Sequence, residues 1–151
     1  GGIILQFPFY AGIMGMMTVA NADGVSLASV ISNFFVSISN SVTFPLLTFL
    51  SAGIVNFFVP SGGGQWAVQG PIVMPAAATM GIEPGRAAMA IAWGDQWTNM
   101  IQPFWALPAL GVAKLSARDI MGYCAIVLII SGLIVGILGF LILVPNMAAG
   151  Y

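Results

Sequence analysis

No histidine occurs in these 151 residues, cysteine occurs once, and lysine and arginine together number three. Without histidine this stretch holds no serine–histidine dyad and no histidine-containing zinc site. Cys124, alone and inside an apolar run, excludes an internal disulfide and a cysteine metal framework, and reads as a packing residue. Charged residues make up 5% of the chain, against about 25% in soluble domains. With a net charge of −1 and no basic patch, nucleic-acid binding is excluded. A secretory signal needs a charged segment ahead of a short apolar core, and the opening "GGIILQFPFYAGIMGMM" has none. It also lacks an initiating Met, so the chain reads as a piece of a longer polypeptide.

What is present is apolar: hydrophobic residues make up 60%. That composition belongs to an integral membrane protein. Asp119 to Val144 is a full span, since a bilayer core of about 30 Å needs about 20 apolar helical residues. Ser116 and Asp119 have capping-box spacing at its start, Pro145 ends it, and Gly132 and Gly136 allow close helix packing. Residues 1–20 form another transmembrane segment, with Ala11 and Gly15 as a small-residue pair. Asn21 to Gly24 then read as a turn. Over 25–42, Val30, Ile31, Phe34, Phe35 and Ile38 lie opposite Asn33, Ser37, Asn40 and Ser41, an amphipathic helix at the interface or along a polar cavity.

The middle is interrupted. Thr43 to Val59 and Gln65 to Met80 are each short for a crossing, and "VPSGGGQWAVQGP" separates their apolar cores. Paired short segments broken by Gly and Pro predict a re-entrant hairpin over 43–80, an ordinary surface loop being the alternative. Arg86 to Val112 is long enough to span but contains Gly94, Asp95, Pro103 and Pro108, which predicts a broken transmembrane helix. If 95–102 is helical, Asp95, Thr98, Asn99 and Gln102 share one stripe, with Trp93, Trp97, Ile101 and Trp105 roughly opposite. A carboxylate in a membrane span costs about 2.5–3.5 kcal/mol on insertion scales, so Asp95 is a functional candidate. The fold class is therefore all-α, a polytopic membrane protein.

"VPSGGGQWAVQGPIVMPAA", "AWGDQWTNMIQPFWALP" and "ARDIMGYC" together resemble the bacterial short-chain fatty acid transporter family, a branch of the ion-transporter superfamily. The likeness covers most of the chain and corresponds to the C-terminal part of a family member. It implies a secondary transporter for butyrate- or acetoacetate-like carboxylates in the cytoplasmic (inner) membrane, built from inverted repeats of which this is one half. Ser61 to Gly64 then resemble the hairpin tip and Gly94 to Asn99 the unwound part of the partner helix.

Such a substrate is an anion on a short apolar tail. Arg86, Lys114 and Arg118 all flank the spans, so the carboxylate has to meet a half-helix N-terminus. Under this resemblance Ser61, Gly62, Gly63 and Gly64 bind it, Gln65 and Gln69 add amide donors, and Trp66 or Trp97 bounds the tail. Asp95, Thr98 and Asn99 are the candidates for a coupling cation, either H+ or Na+; no other cofactor is implied. The remaining partners are the lipid bilayer and, left open, a second copy in a homodimer. A passive channel or membrane scaffold remains the alternative function. An intramembrane enzyme is disfavoured, because histidine is absent and Asp95 is the single carboxylate well inside a span.

Lys114 to Arg118 carries two cations, whereas Gly81 to Arg86 carries one beside Glu83, which places the former in the cytoplasm and the hairpin entry outside. A topology reporter fused after Gly150 should therefore register the external side. A cytoplasmic signal would reverse this orientation.

Overall fold

The computed structural model describes residues 2–143, and within them the chain is helical with no strand. The helices are α1 (Gly2–Thr18), α2 (Leu27–Ser37), α3 (Phe44–Asn56), α4 (Gly62–Thr79), α5 (Pro84–Asn99), α6 (Leu107–Ala113) and α7 (Ala117–Gly132). A 3₁₀ turn, Pro103–Ala106, precedes α6, and α7 runs on as a π-helical stretch, Leu133–Leu143. Val144, Pro145 and the "NMAAGY" end, on which the predicted close of the last span and the C-terminal topology depend, lie outside the described residues.

Polar residues at the helix starts set the boundaries. The Ser26 and Ser29 hydroxyls each accept the other's backbone N–H, at 3.1 and 2.9 Å, which starts α2. Glu83 accepts from the N–H groups of Gly85 and Arg86 ahead of α5, and these bonds hold its carboxyl below the usual range. Asp119 accepts from both the N–H and the hydroxyl of Ser116 at 2.8 Å, where α7 begins.

α3 is the hub, with Phe44, Phe49, Ala52 and Val55 fully buried. Gln65 of α4 meets Ala52 while Gln69 meets Ser51, and Ala77 joins the cluster of Phe44, so α4 runs antiparallel to α3. The two make a helical hairpin. α5 runs parallel to α3 instead: Gly94 lies against Phe49 and Ala52, Thr98 against Gly53, and Asn99 against Asn56. At about 1.5 Å per residue, the 13 residues of α3 span about 20 Å, less than a bilayer core of about 30 Å.

Three expectations are corrected. Gly62 to Gly64 are not loop but the first turn of α4, because Ser61 in extended conformation (φ −152°) accepts from Gly64 N–H at 3.3 Å and starts the helix there. Gly94 to Asn99 are not unwound: α5 is continuous to Asn99, and the interruption falls at Met100 to Gln102, before Pro103. Ile101 and Gln102 therefore leave the helical stripe. Gly94 serves contact rather than unwinding, since a Cβ there would collide with the Phe49 carbonyl oxygen and come within 2.6 Å of the Ala52 Cβ. In the Gly132 and Gly136 pair, likewise, Gly132 receives Trp97 and Gly136 faces Leu46 and Phe49, so this groove is filled from within the chain.

The surface is the inverse of a soluble protein's. On α2 the apolar Val30 and Phe34 are exposed while Ser32 is buried, and α7 presents Tyr123, Ile126, Ile129 and Ile130 outward. Ala117–Phe140 is the one helical stretch among the described residues long and apolar enough to cross a membrane, and only 12% of its apolar 18-residue window is buried inside the chain. Apolar surface of this extent, with polar groups inside, is that of a membrane protein.

The backbone contact between α3 and α5 generates a stability prediction. Gly94→Ala should destabilise the detergent-solubilised protein by about 1–3 kcal/mol in thermal unfolding, through overpacking. Gly122→Ala, where a Cβ meets nothing within 4 Å, should leave stability unchanged or slightly raised.

Candidate functional site

Both interruptions come together at one end of the bundle. Asn56, the last residue of α3, is fully buried, and its Nδ2 lies 2.8 Å from Asp95 O, 3.0 Å from Thr98 Oγ1 and 3.0 Å from Asn99 Oδ1. One amide thus ties the C-terminal end of α3 to that of α5. Thr98 Oγ1 in turn donates to Gly53 O at 2.9 Å. The N-terminus of α4 arrives beside them, for a Cβ on Gly62 would lie 3.9 Å from Asp95 Oδ2. Two carbonyl-rich helix ends and one N–H-rich end therefore surround the same place.

A cavity of about 260 Å³ opens there, lined by Gly62, Gln65 and Trp66 of α4 and by Ala88, Ile91, Ala92 and Asp95 of α5. One part is polar, made by the α4 N-terminus, Gln65 and Asp95. The rest is apolar, with the Trp66 ring over Gly70, where a Cβ would come within 3.2 Å of the indole. Such a volume lies just below the range of about 300–1,000 Å³ common for drug-sized ligands and suits a smaller one.

Four sequence-predicted residues, Gly62, Gln65, Trp66 and Asp95, line this cavity, and the others lie elsewhere. Gly63 faces open space and Gly64 packs on Ser61. Gln69 is one turn deeper, fully buried, with its Nε2 donating to Ser32 Oγ at 3.0 Å and Ser51 Oγ at 3.1 Å. Gln65 Nε2 is committed to Ala52 O and Gln69 Oε1, both at 2.9 Å. Neither glutamine therefore has an amide N–H free for a carboxylate, contrary to their expected role as donors. Trp97 lies on a different face of α5. It stacks on Phe49 with ring centroids 4.8 Å apart, donates Nε1–H to Leu128 O at 2.8 Å, and lines a separate 120 Å³ crevice with Trp93, Gln96, Met100, Ser131 and Val135. Thr98 and Asn99 occupy the seam between α3 and α5. Gln102 Oε1 accepts from Phe104 N–H at 2.7 Å and starts the 3₁₀ turn.

Asn56 escaped the sequence reading, as did Ser32 and Ser51. The available signal was a lone Asn closing the otherwise apolar run of α3. Among the described residues, four buried side-chain atoms have no hydrogen-bond partner: Asn56 Oδ1, Gln65 Oε1, Asp95 Oδ1 and Gln102 Nε2. Three of them are acceptors at the junction of the helix ends.

A helical hairpin whose tip meets the end of an interrupted helix, within an inside-polar and outside-apolar bundle, is the arrangement of a membrane protein with an internal polar site. The chain belongs to the short-chain fatty acid transporter family, whose profile matches residues 1–143. It is 54% identical over 133 residues to a candidate short-chain fatty acid transporter of Escherichia coli (strain K12), covering 88% of this chain and 29% of that protein. A candidate short-chain fatty acid transporter of Haemophilus influenzae (strain ATCC 51907 / DSM 11121 / KW20 / Rd) is 55% identical over 128 residues, 85% of this chain and 28% of its own length. More distant is a candidate basic amino acid antiporter of Escherichia coli (strain K12), 29% identical over 119 residues, 74% of this chain and 23% of that protein. The chain thus spans less than a third of the length of these relatives. No solved structure matches it.

The geometry separates the three glycines. Gly62→Val places methyl groups toward Asp95 and should abolish the function of the full-length protein with little loss of membrane insertion. Gly63→Cys should fold normally and, with the hairpin tip inside the membrane thickness, resist a bulky impermeant thiol reagent applied from either side. Full labelling would make the tip an ordinary surface loop.

Proposed function

We propose that the full-length protein is a secondary active transporter, taking up butyrate- or acetoacetate-like short-chain fatty acids with a coupling cation, H+ or Na+, across the bacterial cytoplasmic membrane. The observation that carries this reading is the cavity between α4 and α5, which holds a helix N-terminus, a carboxylate and an apolar wall within 260 Å³. A short fatty acid needs those features. Its carboxylate meets the first-turn N–H groups of α4, where the macrodipole favours an anion, and its tail lies along Trp66, Ala88, Ile91 and Ala92.

Coupling follows from charge. Asp95 Oδ2 lies beside Gly62, so the protein's own anion already stands where the substrate carboxylate has to sit. Two like charges a few Å apart in a water-poor site repel by several kcal/mol, even at an effective dielectric of about 20. A proton on Asp95, or a sodium ion beside it, cancels one charge and admits the substrate, and the translocated complex becomes electroneutral. In this reading the chain belongs to one of the two inverted repeats of the transporter, its hairpin enters from outside, and α3 to α5 form the moving part of the site. The family membership and the names of the relatives support the substrate class.

Asp95→Asn keeps the shape of the side chain and removes its charge and titration. In proteoliposomes with labelled butyrate and imposed pH and Na+ gradients, the full-length variant should insert normally but lose concentrative uptake. Undiminished accumulation with the parent's cation dependence would remove Asp95 from the coupling role.

A further inference from the structure

We infer that Gln65 and Asp95 form a two-oxygen cation seat in the cavity, and that Gln69 is the positioning residue that keeps the Gln65 oxygen turned toward it. The inference deepens the transport reading, on which it rests for its purpose but not for its test.

A buried relay of side chains runs from α2 into the cavity. Ser32 Oγ donates to Ala28 O at 2.9 Å, which leaves its lone pairs to accept from Gln69 Nε2. Ser51 Oγ accepts from the same amide. With both N–H groups spent, Gln69 turns its oxygen to Gln65 Nε2, and the second Gln65 N–H goes to Ala52 O. A backbone carbonyl only accepts, so the Gln65 amide cannot be reversed without setting oxygen against oxygen. All four N–H groups of the two amides are used. The atom of the relay left without a partner is Gln65 Oε1.

Gln65 lines the cavity with Asp95, whose Oδ1 is also buried and unpartnered. Two buried acceptors in one small cavity have an unmet need for positive charge or a donated proton. A proton on Asp95 donated to Gln65 Oε1 meets it, and so does a sodium ion held between the oxygens. A second anion on this wall does not. Among the described residues of the elements packed here, α2, α3 and α4 carry no ionisable group, Arg86 at the start of α5 lies nine residues (about two and a half turns) before Asp95, and Arg118, Asp119, Tyr123 and Cys124 of α7 lie at least two turns from Gly132, where α7 meets α5 at Trp97.

The test reads cation binding without transport. Purified full-length protein in nanodiscs is melted with increasing NaCl against choline chloride at fixed pH, and in a second arm with falling pH in choline chloride. Stabilisation in the first arm identifies sodium and in the second a proton. Gln65→Met removes the oxygen and should weaken the response about tenfold, and Gln69→Met, which frees the amide, should weaken it in the same direction. Asp95→Asn leaves every Gln65 hydrogen bond in place and removes the charge the seat depends on, so it should abolish the response in whichever arm the parent shows it. A merely structural pair would lose melting temperature without losing the cation response. The seat is overturned by a parent protein unresponsive in both arms, by Asp95→Asn that responds as the parent does, or by Gln65→Met that leaves the response unchanged. Should Gln65→Met fail to fold, an unchanged response of Gln69→Met overturns the positioning role and a weakened one supports it. Lost butyrate uptake with an intact cation response would sink the transport reading and leave the seat standing.

Discussion

Two helices that end side by side have to be held in register, and the buried side-chain amide of Asn56 is the bond that does this for α3 and α5. It sits at the last residue of α3 and reaches three oxygens in the final turn of α5. The end of α3 and the end of α5 before Pro103 are therefore fixed against each other. The placement of the α4 N-terminus follows, because a hairpin whose first arm ends at Asn56 has to turn back beside Asp95.

The family, the all-α class and the membrane setting were legible in composition and in long apolar stretches. Gly and Pro marked the regions of interruption but not the residues that break. Gly94 looked like a breaker because glycine weakens helices, yet its absent side chain is needed to lay one backbone on another. Gly62 to Gly64 looked like loop for the same reason, yet a serine cap is enough to draw them into the helix. In both places a tertiary contact or a cap outweighed a propensity of about 1 kcal/mol.

The candidate site was partly legible. Asp95 stood out because a carboxylate in an apolar span is costly, and Gly62, Gln65 and Trp66 followed from their place at a helix start. The direction in which the glutamine amides point was not readable, since it depends on Ser32 and Ser51, remote in sequence and inconspicuous in type. Trp97 misled for a related reason: an indole beside a polar stripe looks like a wall of a site, but its ring fills the notch of Gly132.

Where Gly94 lies on Phe49 and Ala52, α3 and α5 meet through backbone and Cβ atoms rather than through side chains that could change rotamer. The two helices slide past one another only by climbing over main-chain atoms, so they behave as one stiff lever. α4 meets α5 through side chains around a cavity and has no such interlock. A shift within this part of the molecule would meet no main-chain interlock along the seam between α4 and α5, and would be resisted there by the bonds of Gln65 and Gln69 to Ala52 and Ser51 of α3.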